Sequence, residues 1–359
     1  MKAWEKLFLK PLIVMLLITL GLYTLLEIQV VLDKTKLFRI LSSVLLLAYL
    51  IFVGILVLWL FNILSFSHPK FVFGYIDRKG TVRIETRFDY VGGFSEKLSS
   101  ALIGGKYGYI NKEGHTVIQP QYEFASNFKE NLACVSLKGK YGFIDKDYNI
   151  VISPRFLLAN VFSQELAPVK KEKQWGYIDV RGEYVIPPSF DDAFPFSEDL
   201  AAVKVKNKYG FIGRNGEFVI QPIYEKAYVF SEGLAAVQKD GKWGYITKFG
   251  ETAIPFKYDE AGIFAEGVGS VRLGDKLFYI DNNGVIVLTP NADFAGSFSE
   301  GLAPVKKNGK YGYIDKSGVV IIKPQYDFSG SFNENLAPIG LKRRSVLVQG
   351  FSCAKNTAF

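Results

Sequence analysis

Seven glutamates, Glu96, Glu130, Glu198, Glu232, Glu266, Glu300 and Glu334, recur at multiples of 34 residues, and Gln164 completes the row. A line of carboxylates is the kind of array that takes a hard cation or a cationic ligand. The same residues could instead serve turns, accepting backbone N–H bonds or pairing with Lys106, Lys140, Lys208, Lys242, Lys276 or Lys310. A residue in register with every unit of a repeat is first a structural residue, so the turn role is expected. The remaining chemistry is sparse. His68 and His115 are the two histidines, and His115 occupies a position held by Glu183 and Glu217 elsewhere. Cys134 sits in a Leu-Ala-Cys-Val run, as a small buried thiol would, and Cys353 lies near the C-terminus. No catalytic triad, acid–base pair or metal-ligand spacing can be assembled from these, so a non-catalytic protein without cofactor or metal is expected.

The elements that must position these residues follow from the same period. Gly74, Gly108, Gly142, Gly176, Gly210, Gly244 and Gly312 are spaced at multiples of 34 residues, with Phe278 in the one open place. Eight units therefore run from 71 to 342 without insertion, and a fixed period over eight units defines a repeat architecture. In the unit "GKYGYIDKSGVVIIKPQYDFSGSFNENLAPIGLK" alternation, turn residues and β-branched runs predict three antiparallel strands. Pro324 is read as ending the second of these, and a strand near Leu336 to Ile339 closes the unit.

The recurring residues are read structurally. Ile76, Ile110, Ile144, Ile178, Ile212, Ile246, Ile280 and Ile314 form a core ladder. Gly80, Gly114, Gly182, Gly216, Gly250, Gly284 and Gly318 suit a turn needing positive φ, with Tyr148 beside Asn149 in the third unit. The aspartate of Gly-Tyr-Ile-Asp gives way to Asn111, Gly213 and Thr247, which suits a turn preference. The strand glycine is expected to lie under an aromatic ring from one of two rows, Phe73, Tyr107, Tyr141, Trp175, Tyr209, Trp243 and Tyr311, or Phe88, Tyr122, Phe156, Phe190, Tyr224, Tyr258 and Tyr326. In the seventh unit Leu277-Phe278 and Ala292 break the pattern, predicting local repacking or a distinct surface.

Lys242-Trp243-Gly244-Tyr245-Ile246 and "QWGYID" at 174–179 closely resemble the signature of the WG-repeat (KWG-repeat) family of bacterial proteins. The resemblance covers residues 71–342, with tyrosine replacing tryptophan in most of the other units. It implies a β-repeat scaffold that binds something, and no particular chemistry. Two architectures are open: a β-solenoid, which is preferred, and a closed propeller-like ring. The ring is suggested because the first unit lacks a preceding strand and the last has one to spare.

Ahead of the array, residues 11–26 and 40–67 carry no charge. The second run exceeds the ~20 residues that span a bilayer, so residues 1–67 are read as a membrane anchor with helices near 11–32 and 40–66. The first run could instead be a signal segment. The Lys/Arg excess flanking such a hairpin favours a cytoplasmic repeat domain on a bacterial cell membrane. Residues 343–359 read as an irregular tail. The net charge of +8 is mixed in sign along the chain and excludes a nucleic-acid footprint. The expected function is a membrane-anchored scaffold presenting its repeats to a protein partner, the alternative being a cell-envelope glycan binder that uses the 15% aromatic residues.

Overall fold

The computed structural model describes residues 71–343; the anchor expected at 1–67, His68 and the tail beyond Arg343 lie outside the described residues. Eight four-stranded antiparallel sheets are formed. Blade one comprises Tyr90–Val91, Ser99–Ile103, Lys106–Ile110 and Thr116–Tyr122. The pattern repeats to blade seven, Phe294–Ala295, Leu302–Lys307, Lys310–Asp315 and Val320–Tyr326. Blade eight joins the two ends of the array: Phe328–Ser329 and Leu336–Lys342 supply its first two strands, Phe71–Asp77 and Val82–Phe88 its last two.

Seven consecutive pairs, Phe71↔Lys342 through Asp77↔Leu336, make this junction as regular as any other. The array is therefore a closed ring, and the preference for a solenoid is corrected. Closure pairs the two end strands that an open array would leave as unprotected edges. The expectation of three strands is also corrected. The extra strand is only two residues long and follows the previous blade's last strand after a single residue, so nothing in the sequence marks it as a separate strand. That economy fits a four-stranded blade into 34 residues.

Two further readings change. Pro324 does not end a strand but lies inside Val320–Tyr326, the edge strand of its blade, where a missing N–H leaves no ladder bond unmade and discourages edge-to-edge pairing. The strand glycines face backbone rather than aromatic rings, except that the Phe256 ring also approaches Gly244. A Cβ on Gly210 would lie 2.5 Å from the Ile220 carbonyl oxygen and 2.7 Å from the Pro222 nitrogen; on Gly176 it would lie 2.5 Å from the Ile186 carbonyl. The fourth strand bulges across the glycine: Tyr209 pairs with Tyr224 but Phe211 with Ile220, so one residue opposes three. Backbone against backbone is what forbids a side chain there.

Blade six shows the converse. With Phe278 in place of glycine the fourth strand shrinks to Ile286–Leu288, and pairing ends at Tyr279↔Leu288. Leu277 is buried and packs beside Leu288 and Ala292, so this unit is repacked locally.

The core lies between blades. The isoleucine ladder is buried throughout. The Tyr or Phe just before each isoleucine, from Tyr75 to Tyr313, meets a ring of the next blade (Phe94, Phe128, Phe162, Phe196, Phe230, Phe264, Phe298 or Phe332) at centroid distances of 4.7–4.9 Å. The tyrosine hydroxyls also donate across the seam, Tyr75 to the Gly92 carbonyl at 2.8 Å and Tyr313 to that of Gly330 at 2.7 Å. Serines near these phenylalanines bond to the neighbouring copy of their own segment, as Ser197 Oγ does to the Phe230 carbonyl at 2.7 Å. Equivalent segments can touch in this way only near the axis, which places the first strands and their loops innermost.

Candidate binding surface

A four-stranded meander puts its first and third turns at one end and its second at the other, so the ring has two unlike faces. The glutamate row occupies the first. Each of these residues sits at positive φ, between 52° and 56°, and its side chain reaches the next blade. The Asn131 N–H donates to Glu96, the Gly233 N–H to Glu198, the Gly301 N–H to Glu266 and the Asn335 N–H to Glu300. Gln164 does the same for Asp199 through its carbonyl oxygen. The Lys97 N–H donates to Glu334, so the row crosses the closing seam unbroken.

Lysines also pair with the row, but they are not those named from sequence. Lys112, Lys146, Lys248 and Lys316 reach Glu334, Glu96, Glu198 and Glu266 at 2.8–3.2 Å, while Lys106, Lys208, Lys242 and Lys310 pair elsewhere. Burial works against the ionised carboxyls of Glu266 and Glu334. The donating amides and lysines outweigh it and hold both below the usual range. With its oxygens accepting from amides and lysines of the next blade, the row joins blades. Among the described residues no group of histidine, cysteine or carboxylate side chains is placed to hold a metal.

The other minor candidates are also structural. Asp77 Oδ1 accepts the N–H groups of Lys79 and Thr81, an Asx turn, and Tyr148 takes the positive φ of the turn glycine. His115 is exposed on a turn, its N–H donating to Asn111 Oδ1. Cys134 is fully buried, and burial pushes its thiol well up.

The opposite face carries the second-turn hairpins and differs from blade to blade. An acidic row there went unread in the sequence: Asp89, Glu123, Asp191, Glu225, Asp259 and Asp293 each accept an N–H of the hairpin 15 or 16 residues on, and Asp327 accepts that of Lys342 at the end of the closing strand. Its period was visible. Its purpose was not, because the cap spans two elements far apart in the unit.

Just beyond that row comes a position that varies around the ring. It holds Phe294, Phe328, Tyr90, Phe124 and Leu158 in blades seven, eight, one, two and three, then Asp192, Lys226 and Glu260 in blades four, five and six. Tyr90, Phe124, Leu158 and Phe294 are 37–43% exposed. Ring contacts run on without a break from Phe328 through Phe73, Tyr90, Tyr107 and Phe124 to Tyr141, at centroid distances of 5.5–6.3 Å. This arc crosses the closing seam. Its continuity therefore depends on the ring being closed.

On the charged side the rim opens into a cleft of about 730 Å³ across blades five to seven, lined by Tyr228, Trp243, Ser270, Arg272 and Leu277. Tyr228 stacks on Trp243 with centroids 5.2 Å apart and planes 14° from parallel, and Arg272 Nε donates to Glu260 at 3.0 Å.

The model of the WG containing repeat matches eight consecutive segments, from 73–107 to 311–341, with no stretch between 73 and 341 longer than one residue left out. The chain belongs to the WG-repeat family. No curated protein matches it. Among solved structures it is similar to Kluyveromyces lactis Hsv2p, at 8% identity and TM-score 0.45 over 63% of this chain and 92% of that one. A crystal structure described as the eukaryotic initiation factor matches at 16% identity and TM-score 0.45, covering 66% and 76%. The extracellular domain of a putative hybrid two-component system from B. thetaiotaomicron matches at 10% and 0.43, covering 66% and 41%. Likeness at this level carries nothing about function.

Proposed function

We propose that this WG-repeat protein is a membrane-anchored, non-catalytic scaffold whose hairpin-face rim docks a protein partner. The observation that carries the reading is the row from Phe294 round to Glu260. The signature residues are buried or used between blades, whereas this partly exposed row changes residue type around the ring and sorts into an apolar arc and a charged one. An apolar arc with a polar flank is the composition of a protein–protein contact, with aromatic anchors at its centre. The anchor rests on the uncharged runs at 11–26 and 40–67, and the charges around them favour a cytoplasmic ring on a bacterial cell membrane.

A photo-cross-linking residue placed at Phe124 in intact cells tests this, with Val219 on the outer strand of blade four as the control. One dominant protein adduct from position 124 and none from position 219 is expected. Equal adducts from both positions, or chaperones alone, would overturn the reading.

A second reading, a glycan-binding module, is favoured by the cleft, where Tyr228 is 43% exposed and backed flat by Trp243. Tryptophan fluorescence that stays constant across cell-wall polysaccharides would remove it.

A further inference from the structure

Blade three breaks the acidic row. Leu157 stands where the seven other blades have Asp or Glu. Elsewhere that carboxylate has two jobs. It accepts an N–H of its hairpin, as Glu123 does from Gly139 at 2.7 Å. In four blades it also receives the lysine at the start of the preceding blade's third strand, Lys106–Glu123, Lys208–Glu225, Lys242–Asp259 and Lys310–Asp327, at 2.6–3.9 Å.

Leu157 can do neither. Among the described residues Lys140, the equivalent lysine of blade two, has no ion pair, and no side chain caps the hairpin amides of Glu172 and Lys173. Lys140, Arg155, Leu157, Lys170, Glu172 and Tyr184 line one recess of about 330 Å³. Arg155 is partly committed, donating to the Gly182 carbonyl at 2.7 Å, and Lys170 lies 5.9 Å from the Trp175 ring centroid. Leu157 and Leu158, 41% and 40% exposed, form an apolar shoulder that continues the rim arc.

We propose that this recess docks an acidic side chain of the protein partner, its carboxylate taking the place that Glu123 or Glu225 fills in their own blades. The inference rests on the scaffold reading and names the chemistry of the contact: Glu or Asp beside aliphatic residues. Lys140 Nζ and the hairpin amides bind the carboxylate, and the leucine shoulder packs against its neighbours. A carboxylate fits better than a larger anion because the frame is the one that holds a carboxylate in the other blades.

The test presents the full chain, in mild detergent, with an array of short peptides. Each carries one glutamate between aliphatic residues, printed beside the same peptides with glutamine or phosphoserine. Binding that prefers glutamate is expected. It should fall roughly tenfold in Leu157→Glu and in Lys140→Ala, the size of one charge-assisted hydrogen bond. Leu157→Glu restores the residue found in two sister blades, so it should fold at least as stably as the parent. Equal binding to glutamate and glutamine peptides, or an unchanged Leu157→Glu, would overturn the site. A preference for phosphoserine would overturn the assignment to a carboxylate. Lost peptide selectivity with the cross-link at position 124 intact removes this site alone. Selectivity intact with no cross-link removes the scaffold reading and leaves an acidic-peptide site.

Discussion

Replacing the strand glycine of blade four by alanine probes the bulge that shapes every blade but the sixth. In Gly210→Ala the new methyl would sit 2.5 Å from the Ile220 carbonyl oxygen, where contacts below 3.4 Å are already tight. The fourth strand must retreat by roughly 0.9 Å, and the obstacle is backbone, which cannot swing aside as a side chain would. Overpacking of this kind costs about 1–3 kcal/mol. Loosening the Phe211↔Ile220 pairing adds about 1 kcal/mol for a weakened backbone bond. Near 60 °C the unfolding entropy is about 2.1 cal/mol/K per residue, so 2–4 kcal/mol over some 270 residues lowers Tm by roughly 4–7 °C if the ring melts as one unit.

Gly241→Ala is the control. Gly241 has φ of 74° and nothing within 4 Å of a built Cβ, so alanine there carries only the left-handed backbone penalty of about 1–2 kcal/mol. Differential scanning calorimetry of the two variants decides the matter. If Gly210→Ala melts within 1 °C of the parent, or above Gly241→Ala, the bulge is not what selects glycine.

Two other perturbations follow from the seams. Glu334→Ala removes the acceptor of the Lys97 N–H and the partner of Lys112 where blade eight meets blade one; a loss of roughly 1–2 kcal/mol in urea unfolding is expected, discounted for the partial exposure of the pair. Glu266 and Glu334 have lowered pKa values, so their stabilisation is present above the ordinary glutamate pKa and should fade as pH falls through the folded value. The buried tyrosines act in the opposite direction. Burial, with the bond to Asp192 adding to it, pushes Tyr209 up to about 12, and burial raises Tyr75, Tyr109, Tyr177, Tyr245, Tyr279 and Tyr313 further. Above pH 10 the unfolded chain loses these protons and the ring keeps them, so stability should fall as pH rises past 10. The full tyrosinate absorbance should then be reached only with loss of β-structure; its being reached well before unfolding would contradict the burial.

Much of this was legible because a period repeats its evidence. The isoleucine ladder, the turn glycines and the structural role of the glutamate row all follow from register. What escaped the sequence depended on contacts between units. Gly210 looks like a seat for a ring until the bulge of residues 221–223 is seen crossing it. Phe94 and its seven equivalents recur as strictly as the isoleucines, yet they pack on the next blade, and no reading within one unit assigns them a partner. Tyr90–Val91 hides as a strand because one residue separates it from Phe88. The rim escaped for a different reason. Tyr90, Lys226 and Glu260 share a position but no residue type, so the row becomes visible only once the ring places them side by side.

The most direct test is of closure, because the apolar arc exists only if blade eight is completed by both ends of the array. Cysteines placed at Val72 and Leu341, which pair directly across the seam, in a chain with Cys134 and Cys353 replaced by alanine, should form a disulfide under mild oxidation of the folded protein. The expected result is near-complete intramolecular cross-linking at high dilution, lost when the protein is unfolded before oxidation. Free thiols in the folded chain, or cross-links only between chains, would mean an open array and a broken arc.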